Sequence, residues 1–273
     1  MAGASRRSLL TVLATAAVGG PYLGAAGLMP AAAAADRYPS NTALYADPNL
    51  VEGTDYARRC RRHGTVDDDL VQNVPFPQTA VIAPHGGGIE VGTSELCLAI
   101  AGYHPATLAV TPANGRVYDY WMFEGLRASN NGELHVTSIH CDDPYARSLC
   151  AGAWHGLALH GCTTSQVDLP DGTEMVLVGG LDNTLKSYLL QEYAAAGVPA
   201  IDAVDHDSLN GNDPRNIVNR TLLGTGAQLE MTTPMRLAMF GTNTGAQRKN
   251  TTLAAFWTFV AATRAAIARH EAR

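Results

Sequence analysis

Short β-rich runs alternate with helical stretches along most of this chain, and this alternation limits its fold more than any other feature. Runs of strand-like composition cover residues 79–83, 116–124, 133–138, 155–160, 175–178, 200–204 and 227–230. Helical apolar spacing covers residues 93–103, 145–153, 183–196 and 249–270. We therefore predict an α/β fold, a three-layer domain in which helices flank a mixed, largely parallel sheet. Hairpin-like spacing near residues 116–138 indicates that some strands there are antiparallel.

The composition is that of one globular domain. Because 46% of the residues are hydrophobic and 16% are charged, the chain can bury a sizeable core. We predict a single domain over residues 36–273, of a size that fits a monomer. A polar, turn-rich lead-in with one short helix occupies residues 36–74 of this domain. The net charge of -6 argues against nucleic acid as a partner.

Residues 1–35 have the pattern of an export signal. Arg6 and Arg7 precede an apolar stretch, and Ala33-Ala34-Ala35 supplies an A-x-A cleavage site before Asp36. The pattern resembles a twin-arginine signal peptide, whereas the glycines and prolines that interrupt it disfavour a permanent anchor helix. We predict a secreted, extracellular protein with no stable membrane association once the signal is cleaved.

Export would place the five cysteines in an oxidising compartment, where disulfides form. They are Cys60, Cys97, Cys141, Cys150 and Cys162. An odd number leaves at least one unpaired, and the pairing of the others stays open at the level of sequence. Since none has C-x-x-C spacing, we expect no zinc-thiolate site.

Three predicted strands run into residues that can bind a metal or transfer a proton: His85, His160 and Glu230. Sites in open α/β sheets form at such strand ends. The glycines after His85 would let the chain fold back, so that Glu90 could share an ion with the imidazole. Two imidazoles and one carboxylate form a catalytic zinc shell with one open position. Glu230 could then serve as general acid/base in hydrolysis by metal-activated water.

Each of these histidines also has an ordinary interpretation as a hydrogen-bonded core or surface residue. If His160 is not a ligand, His135 and His140 are the best substitutes and His155 is a weaker one. Several histidines without strand-end context, among them His270, are expected at the surface.

The run His85-Gly86-Gly87-Gly88-Ile89-Glu90 resembles the signature of the phage and bacterial poly-γ-glutamate hydrolases. Other segments resemble that family in the same order: Phe123-Glu124-Gly125, Leu134-His135-Val136-Thr137-Ser138, Leu159-His160-Gly161, Val178-Gly179-Gly180, Asn216-Ile217-Val218-Asn219-Arg220 and Gln228-Leu229-Glu230. The resemblance implies a zinc-dependent hydrolase with a fold similar to the zinc carboxypeptidases.

The resemblance carries over to seven positions: His85, Glu90 and His160 as Zn²⁺ ligands, Glu230 as the catalytic acid/base, and Asn216, Arg220 and Arg236 as residues that hold substrate carboxylates. It implies a polyanionic peptide, poly-γ-glutamate, as the substrate. Val91 departs from the family, which often has proline there, and residues 139–144 replace a more aromatic turn.

The expected function is therefore cleavage of γ-glutamyl amide bonds by a secreted zinc hydrolase. The same chemistry would also serve a cell-wall peptide amidase or an N-acyl amino acid amidase. A non-catalytic polyanion-binding protein is a further alternative, but it would not need Glu230. The nucleophile elbow G-x-S-x-G and the phosphate loop G-x-x-x-x-G-K-[ST] do not occur in the sequence.

We predict that the double substitution Arg6→Lys, Arg7→Lys retains the precursor inside the cell. A receptor reads the paired arginines, and lysines keep the charge without satisfying that receptor. Immunoblots of cell and medium fractions measure the outcome. Undiminished secretion of the Lys-Lys precursor would instead favour a general secretory route.

Overall fold

Seven strands form one sheet in the part of the chain that the computed structural model describes, residues 36–63 and 79–273. The strands are β1 (Tyr56–Arg61), β2 (Thr79–Gly87), β3 (Asp119–Gly125), β4 (His155–Cys162), β5 (Val176–Gly180), β6 (Ala200–Asp202) and β7 (Ala227–Thr232). Their order across the sheet is β1-β3-β2-β4-β7-β5-β6. The predicted export signal and residues 64–78 lie outside the described residues.

Most neighbouring strands are parallel, which confirms the mixed, largely parallel sheet. β2 is parallel to β3 and β4, β4 to β7, and β5 to β6. The antiparallel pairs are β1 with β3 and β5 with β7. The predicted antiparallel pairing around residues 116–138 therefore involves β3, whose antiparallel partner is β1 and not the segment 133–138.

Helices cover both faces of the sheet and complete the three layers. They are α1 (Asn41–Tyr45), α2 (Thr93–Ile100), α3 (Pro144–Ala151), α4 (Asn183–Ala196), α5 (Thr233–Leu237) and α6 (Ala254–Glu271). Leu157 of β4 packs in one core with α2, α4 and α6, while Ala158 faces a second core with α1 and α3. Alternate residues of a strand point to opposite faces, so one strand serves both cores. No helix in the described ranges is long and apolar enough to cross a bilayer.

The segment 133–138, predicted as a strand, forms short 3-10 turns instead. Its polar groups bind side chains rather than a neighbouring strand: the Thr137 amide donates to Asp36 at 2.6 Å, and the Val136 carbonyl accepts from His85 at 2.9 Å. Leu134 and Val136 are nevertheless buried. The apolar residues of this segment are therefore buried, but they anchor a loop over the sheet instead of a strand.

Two other elements differ from the predictions. β1 was missed because Arg58, Arg59 and Arg61 hide its strand character, although charged side chains are common on edge strands. β2 does not end at Pro84 but continues to Gly87 through an irregularity between Ala83 and Gly86, where a residue without an amide hydrogen is tolerated.

The cysteines form no disulfide. All five lie in the described part of the chain and are free, with Cys60 exposed and the other four buried. Burial raises the pKa of the Cys97 and Cys141 thiols, so that these groups stay protonated and inert.

Candidate active site

Parallel pairing of three central strands brings the predicted site residues together. β4 lies between β2 and β7, and His160 of β4 is the register partner of Glu230 on β7. Residues opposite each other on neighbouring strands share one face of the sheet. His85 lies on β2 with its Nδ1 atom 3.1 Å from Nδ1 of His160.

A glycine-rich turn returns Glu90 to the end of β2. The Glu90 amide donates to the His85 carbonyl at 2.9 Å, and Gly87 takes a left-handed conformation with φ of 65° that favours glycine. Oε1 of Glu90 then lies 2.9 Å from His85 Nδ1, while Oε2 accepts from the Gly161 amide at 2.9 Å. The carboxylate is thus held against both β2 and β4.

The segment 136–138 fixes the orientation of the two imidazoles. Nε2 of His85 donates to the Val136 carbonyl at 2.9 Å, and Nε2 of His160 lies 3.3 Å from the Ser138 hydroxyl. With the proton assigned to Nε2 in each ring, both Nδ1 lone pairs point toward the Glu90 carboxylate. Three electron-pair donors therefore converge on one small volume.

Burial and mutual interaction shift the pKa values of these groups. Burial opposes ionisation of Glu90, but the charges of His85, His160 and His135 outweigh it and lower the pKa of Glu90 to about 2. Burial and the neighbouring His85 charge lower the pKa of His160 to about 3. Burial acts against the charged form of His85 as well, yet Glu90 raises the pKa of His85.

This donor set fits a zinc ion. Two imidazole nitrogens and a carboxylate are ligands that zinc prefers, and hydrogen bonds on the far side of each ring are the usual supports of such ligands. A tetrahedral ion with bonds of about 2.0–2.1 Å holds neighbouring donors about 3.3 Å apart. The 3.1 Å between His85 Nδ1 and His160 Nδ1 and the 3.7 Å between His160 Nδ1 and Glu90 Oε2 are close to that value.

His135 is a third nearby imidazole. Its ring centroid lies 3.9 Å from that of His85, and its Nε2 lies 3.8 Å from Glu90 Oε1. Its Nδ1 is held by Asp36 at 2.7 Å. Of the predicted substitutes for His160, His135 therefore borders the donor cluster, whereas His140 is exposed and lies 4.0 Å from Asp36.

A chain of amides orients Glu230. The Asn216 amide donates to Gln228 Oε1 at 2.8 Å, and Gln228 Nε2 donates to Glu230 Oε1 at 2.8 Å. Burial, followed by the charge of Glu90, raises the pKa of Glu230 well above its usual value. Such a carboxyl group holds a proton more readily than an exposed glutamate does. Asn216 is buried, so it reaches Glu230 through Gln228 and has little access to solvent.

The two predicted arginines have different surroundings. Arg236 is buried, and its guanidinium donates to the carbonyls of Met231 at 3.1 Å and Val91 at 2.9 Å. Its Nε would lie 2.4 Å from a Cβ added at Gly161, so that glycine admits the guanidinium. Arg220 is half-buried and donates from Nε to the Arg215 carbonyl at 3.0 Å.

Asp36 and Gln228 were missed as contributors to the site. The sequence marks Asp36 only as the residue after the predicted cleavage site. It contacts His135 across a separation of 99 residues, which no local pattern reveals. Gln228 could have been found, because it lies two positions before Glu230 and so points to the same face of β7.

The sequence comparison decides the family. The profile that describes poly-gamma-glutamate hydrolase matches residues 68–262, which is more than half of the chain and includes every predicted site residue. The chain belongs to the poly-gamma-glutamate hydrolase family.

Three proteins from Bacillus subtilis (strain 168) resemble the chain over much of its length. The SPbeta prophage-derived UPF0714 protein YoqZ is 33% identical over 181 residues, which cover 66% of this chain and 58% of YoqZ. YndL is 33% identical over 162 residues, 59% of this chain and 56% of YndL. The chain thus spans less than two thirds of these two relatives. YmaC is 30% identical over 182 residues, 67% of this chain and 68% of YmaC.

Solved structures agree with the family assignment. A bacteriophage poly-gamma-glutamate hydrolase superposes with a TM-score of 0.70 at 29% identity and covers 87% of this chain and 99% of its own. The zinc-free apo form of YndL superposes with a TM-score of 0.70 at 28% identity and covers 86% of this chain and 98% of its own. The fold of this family member is therefore that of the poly-gamma-glutamate hydrolases.

We predict that the double substitution His85→Ala, His160→Ala removes one zinc ion per chain relative to the wild type. Glu90 alone is a weak zinc ligand, so the site no longer binds zinc once both imidazoles are removed. Metal analysis after equilibration with zinc and desalting measures the difference. His135→Ala is the matched comparison and should keep that ion; an equal loss in this variant would make His135 a ligand.

Proposed function

We propose that the chain is a secreted zinc-dependent hydrolase that cleaves γ-glutamyl amide bonds of poly-γ-glutamate. The observation that carries the proposal is the convergence of His85 Nδ1, His160 Nδ1 and the Glu90 carboxylate beside Glu230. These side chains come from three strands and one turn, and they have no common packing role. A donor cluster next to a carboxyl group of raised pKa is the arrangement that amide hydrolysis requires.

His85, Glu90 and His160 would hold the zinc ion in this proposal. When bound, zinc would act as a Lewis acid that lowers the pKa of water and polarises an amide carbonyl. The chain supplies the geometry: Val136 and Ser138 fix the rings, and the Gly161 amide fixes the carboxylate. Such supports favour an orientation that is set before substrate arrives.

Glu230 would move the proton. Gln228 donates to Oε1, so the other oxygen, Oε2, is the one that takes a proton from the attacking water and later delivers it to the leaving amine. Asn216 keeps the Gln228 amide turned in the required direction. In this interpretation Asn216 positions the acid/base, and it does so through Gln228 rather than by contact with a substrate carboxylate.

Electrostatics constrain how a polyanion could bind. A chain of net charge -6 repels poly-γ-glutamate at long range, so binding needs a local basic group. The terminal nitrogens of Arg220 have no hydrogen-bond partner among the described residues, whereas the Arg236 guanidinium donates to several. Arg220 is therefore the stronger candidate for a substrate α-carboxylate, and Arg236 supports the wall of the site.

Incubation of the zinc-loaded protein with poly-γ-glutamate tests the proposal directly. We expect a fall in polymer size on gels and new γ-linked products by mass spectrometry. If the polymer stays intact but the protein cleaves cell-wall peptides or N-acyl amino acids, the protein is still a hydrolase but poly-γ-glutamate is not its substrate. Binding of the polymer without cleavage of any amide would identify a non-catalytic polyanion-binding protein.

We predict that Glu230→Gln lowers turnover on poly-γ-glutamate about a hundredfold or more while zinc content and Tm stay near wild type. The substitution removes proton transfer but keeps the size of the side chain and its ability to hydrogen-bond Gln228. Glu174→Gln, an exposed carboxyl-to-amide change, is the matched control and should have wild-type kcat. Near wild-type turnover of Glu230→Gln would assign the proton to another group.

We predict that Arg220→Ala lowers kcat/KM on poly-γ-glutamate, because a substrate carboxylate loses its charged partner. The fall should correspond to a loss of about 2 to 4 kcal/mol of transition-state stabilisation. Arg220→Lys should recover only part of this, since an ammonium lacks the planar fork. The exposed Arg147→Ala is the control for loss of a positive charge. Equal losses on poly-γ-glutamate and on an uncharged γ-amide would show that Arg220 supports the fold instead.

A further inference from the structure

A second cluster of metal-binding side chains lies at the opposite end of β4. His155 is the first residue of β4, Asp182 caps the N-terminus of α4, and His270 is in the last turn of α6. His160 lies five residues further along the same strand, a distance of about 16 Å in extended chain. His155 and His160 also point to opposite faces of the sheet. The cluster is therefore separate from the candidate active site.

The three side chains are close and largely withdrawn from solvent. Asp182 Oδ2 lies 3.2 Å from His270 Nε2 and 3.9 Å from His155 Nδ1. Their side chains are exposed by 13% for His155 and by 8% for each of Asp182 and His270. His270 was predicted at the surface, but packing of α6 on α4 buries it.

The Asp182 carboxylate is oriented by the backbone. Its Oδ1 accepts from the Leu185 amide at 2.9 Å, as the N-cap of α4. This bond turns Oδ2 toward the two imidazoles. Three separate elements thus place one donor atom each around a common point, with all three atoms within 4.8 Å of one another.

An ordinary ion pair does not account for this cluster. An Asp182–His270 pair explains the 3.2 Å contact but leaves His155 Nδ1 buried, with no hydrogen-bond partner among the described residues. Buried ring nitrogens normally find a partner. The lone pair of an unprotonated His155 Nδ1 is therefore left without a partner in this cluster. A cation between the three donors would satisfy that lone pair.

We propose that His155, Asp182 and His270 bind a divalent transition-metal cation of the zinc type. Two nitrogens and one oxygen suit zinc, whereas calcium and magnesium prefer oxygen ligands only. The separations of 3.2 Å and 3.9 Å approach the value of about 3.3 Å for a tetrahedral ion. The three residues line a surface cavity of about 690 Å³, through which water can supply the remaining ligand.

The bound ion would fasten three elements that are far apart in sequence. It would join the start of β4, the N-terminus of α4 and the C-terminus of α6. A ligand that binds only the folded chain stabilises it by an amount that grows with the logarithm of the ligand concentration relative to Kd. This second ion is therefore structural and holds the C-terminal helix against the sheet. The proposal shares no ligand with the proposed hydrolase site and does not depend on its activity.

The test uses full-length protein that carries His85→Ala and His160→Ala, so that the candidate active site loses both imidazole ligands and keeps only His135 beside Glu90. We expect this background to bind one zinc ion per chain by isothermal titration and metal analysis. Added zinc should raise its Tm by about 5 °C. Further substitution His155→Gln should abolish both effects, while His206→Gln, a change on a loop, should alter neither.

His155→Gln is the decisive variant because His155 makes no hydrogen bond to Asp182, so its loss leaves the Asp182–His270 contact in place. His270→Gln should also abolish binding if it folds. Folded background protein that binds no zinc, or unchanged zinc binding after His155→Gln, would overturn the proposal. Failure of the active-site proposal has a different signature, which is equal zinc content of the wild type and the double-Ala background.

Discussion

The candidate active site depends on the parallel pairing of β4 with β2 on one side and β7 on the other. Each of the three strands contributes one polar residue to the site: His85 from β2, His160 from β4 and Glu230 from β7. Backbone ladders fix strand positions to within a fraction of a residue, and a slip of one residue would turn a side chain to the opposite face. The register of His160 with Glu230 therefore sets which carboxyl group lies beside the donors.

The loop between β3 and α3 orients the two histidines that the sheet brings together. The Val136 carbonyl and the Ser138 hydroxyl hold the far nitrogens of His85 and His160, so both rings present Nδ1 to Glu90. The loop is itself anchored by Asp36, which accepts from the Thr137 amide. A residue at the start of the described chain thus supports the geometry of a site that lies deep in the fold.

β4 carries one histidine cluster near each of its ends. His155 and His160 differ by an odd number of positions, so they face different cores and meet different helices. His160, near one end, lies beside Glu230, which is hydrogen-bonded to Gln228. His155, at the other end, lies beside Asp182 and His270, where α4 begins and α6 ends. At the first end the Glu230 carboxyl group, whose pKa burial raises, lies opposite His160 in the strand register.

The layer architecture and most strand and helix positions could be predicted from the sequence, because alternation of apolar residues is a local property. Strand-end position and the glycines after His85 also pointed to His85, Glu90, His160 and Glu230, whose side chains lie close together in the structure. The sequence analysis missed β1, the antiparallel partner of β3, and it assigned a strand to the segment 133–138, whose apolar residues anchor a loop. The contacts of Asp36, Asn216 and His270 are visible only in the tertiary structure. Their contacts join residues far apart in the chain or depend on which groups are left unpaired, and burial and hydrogen-bond direction are set by packing that no local pattern encodes.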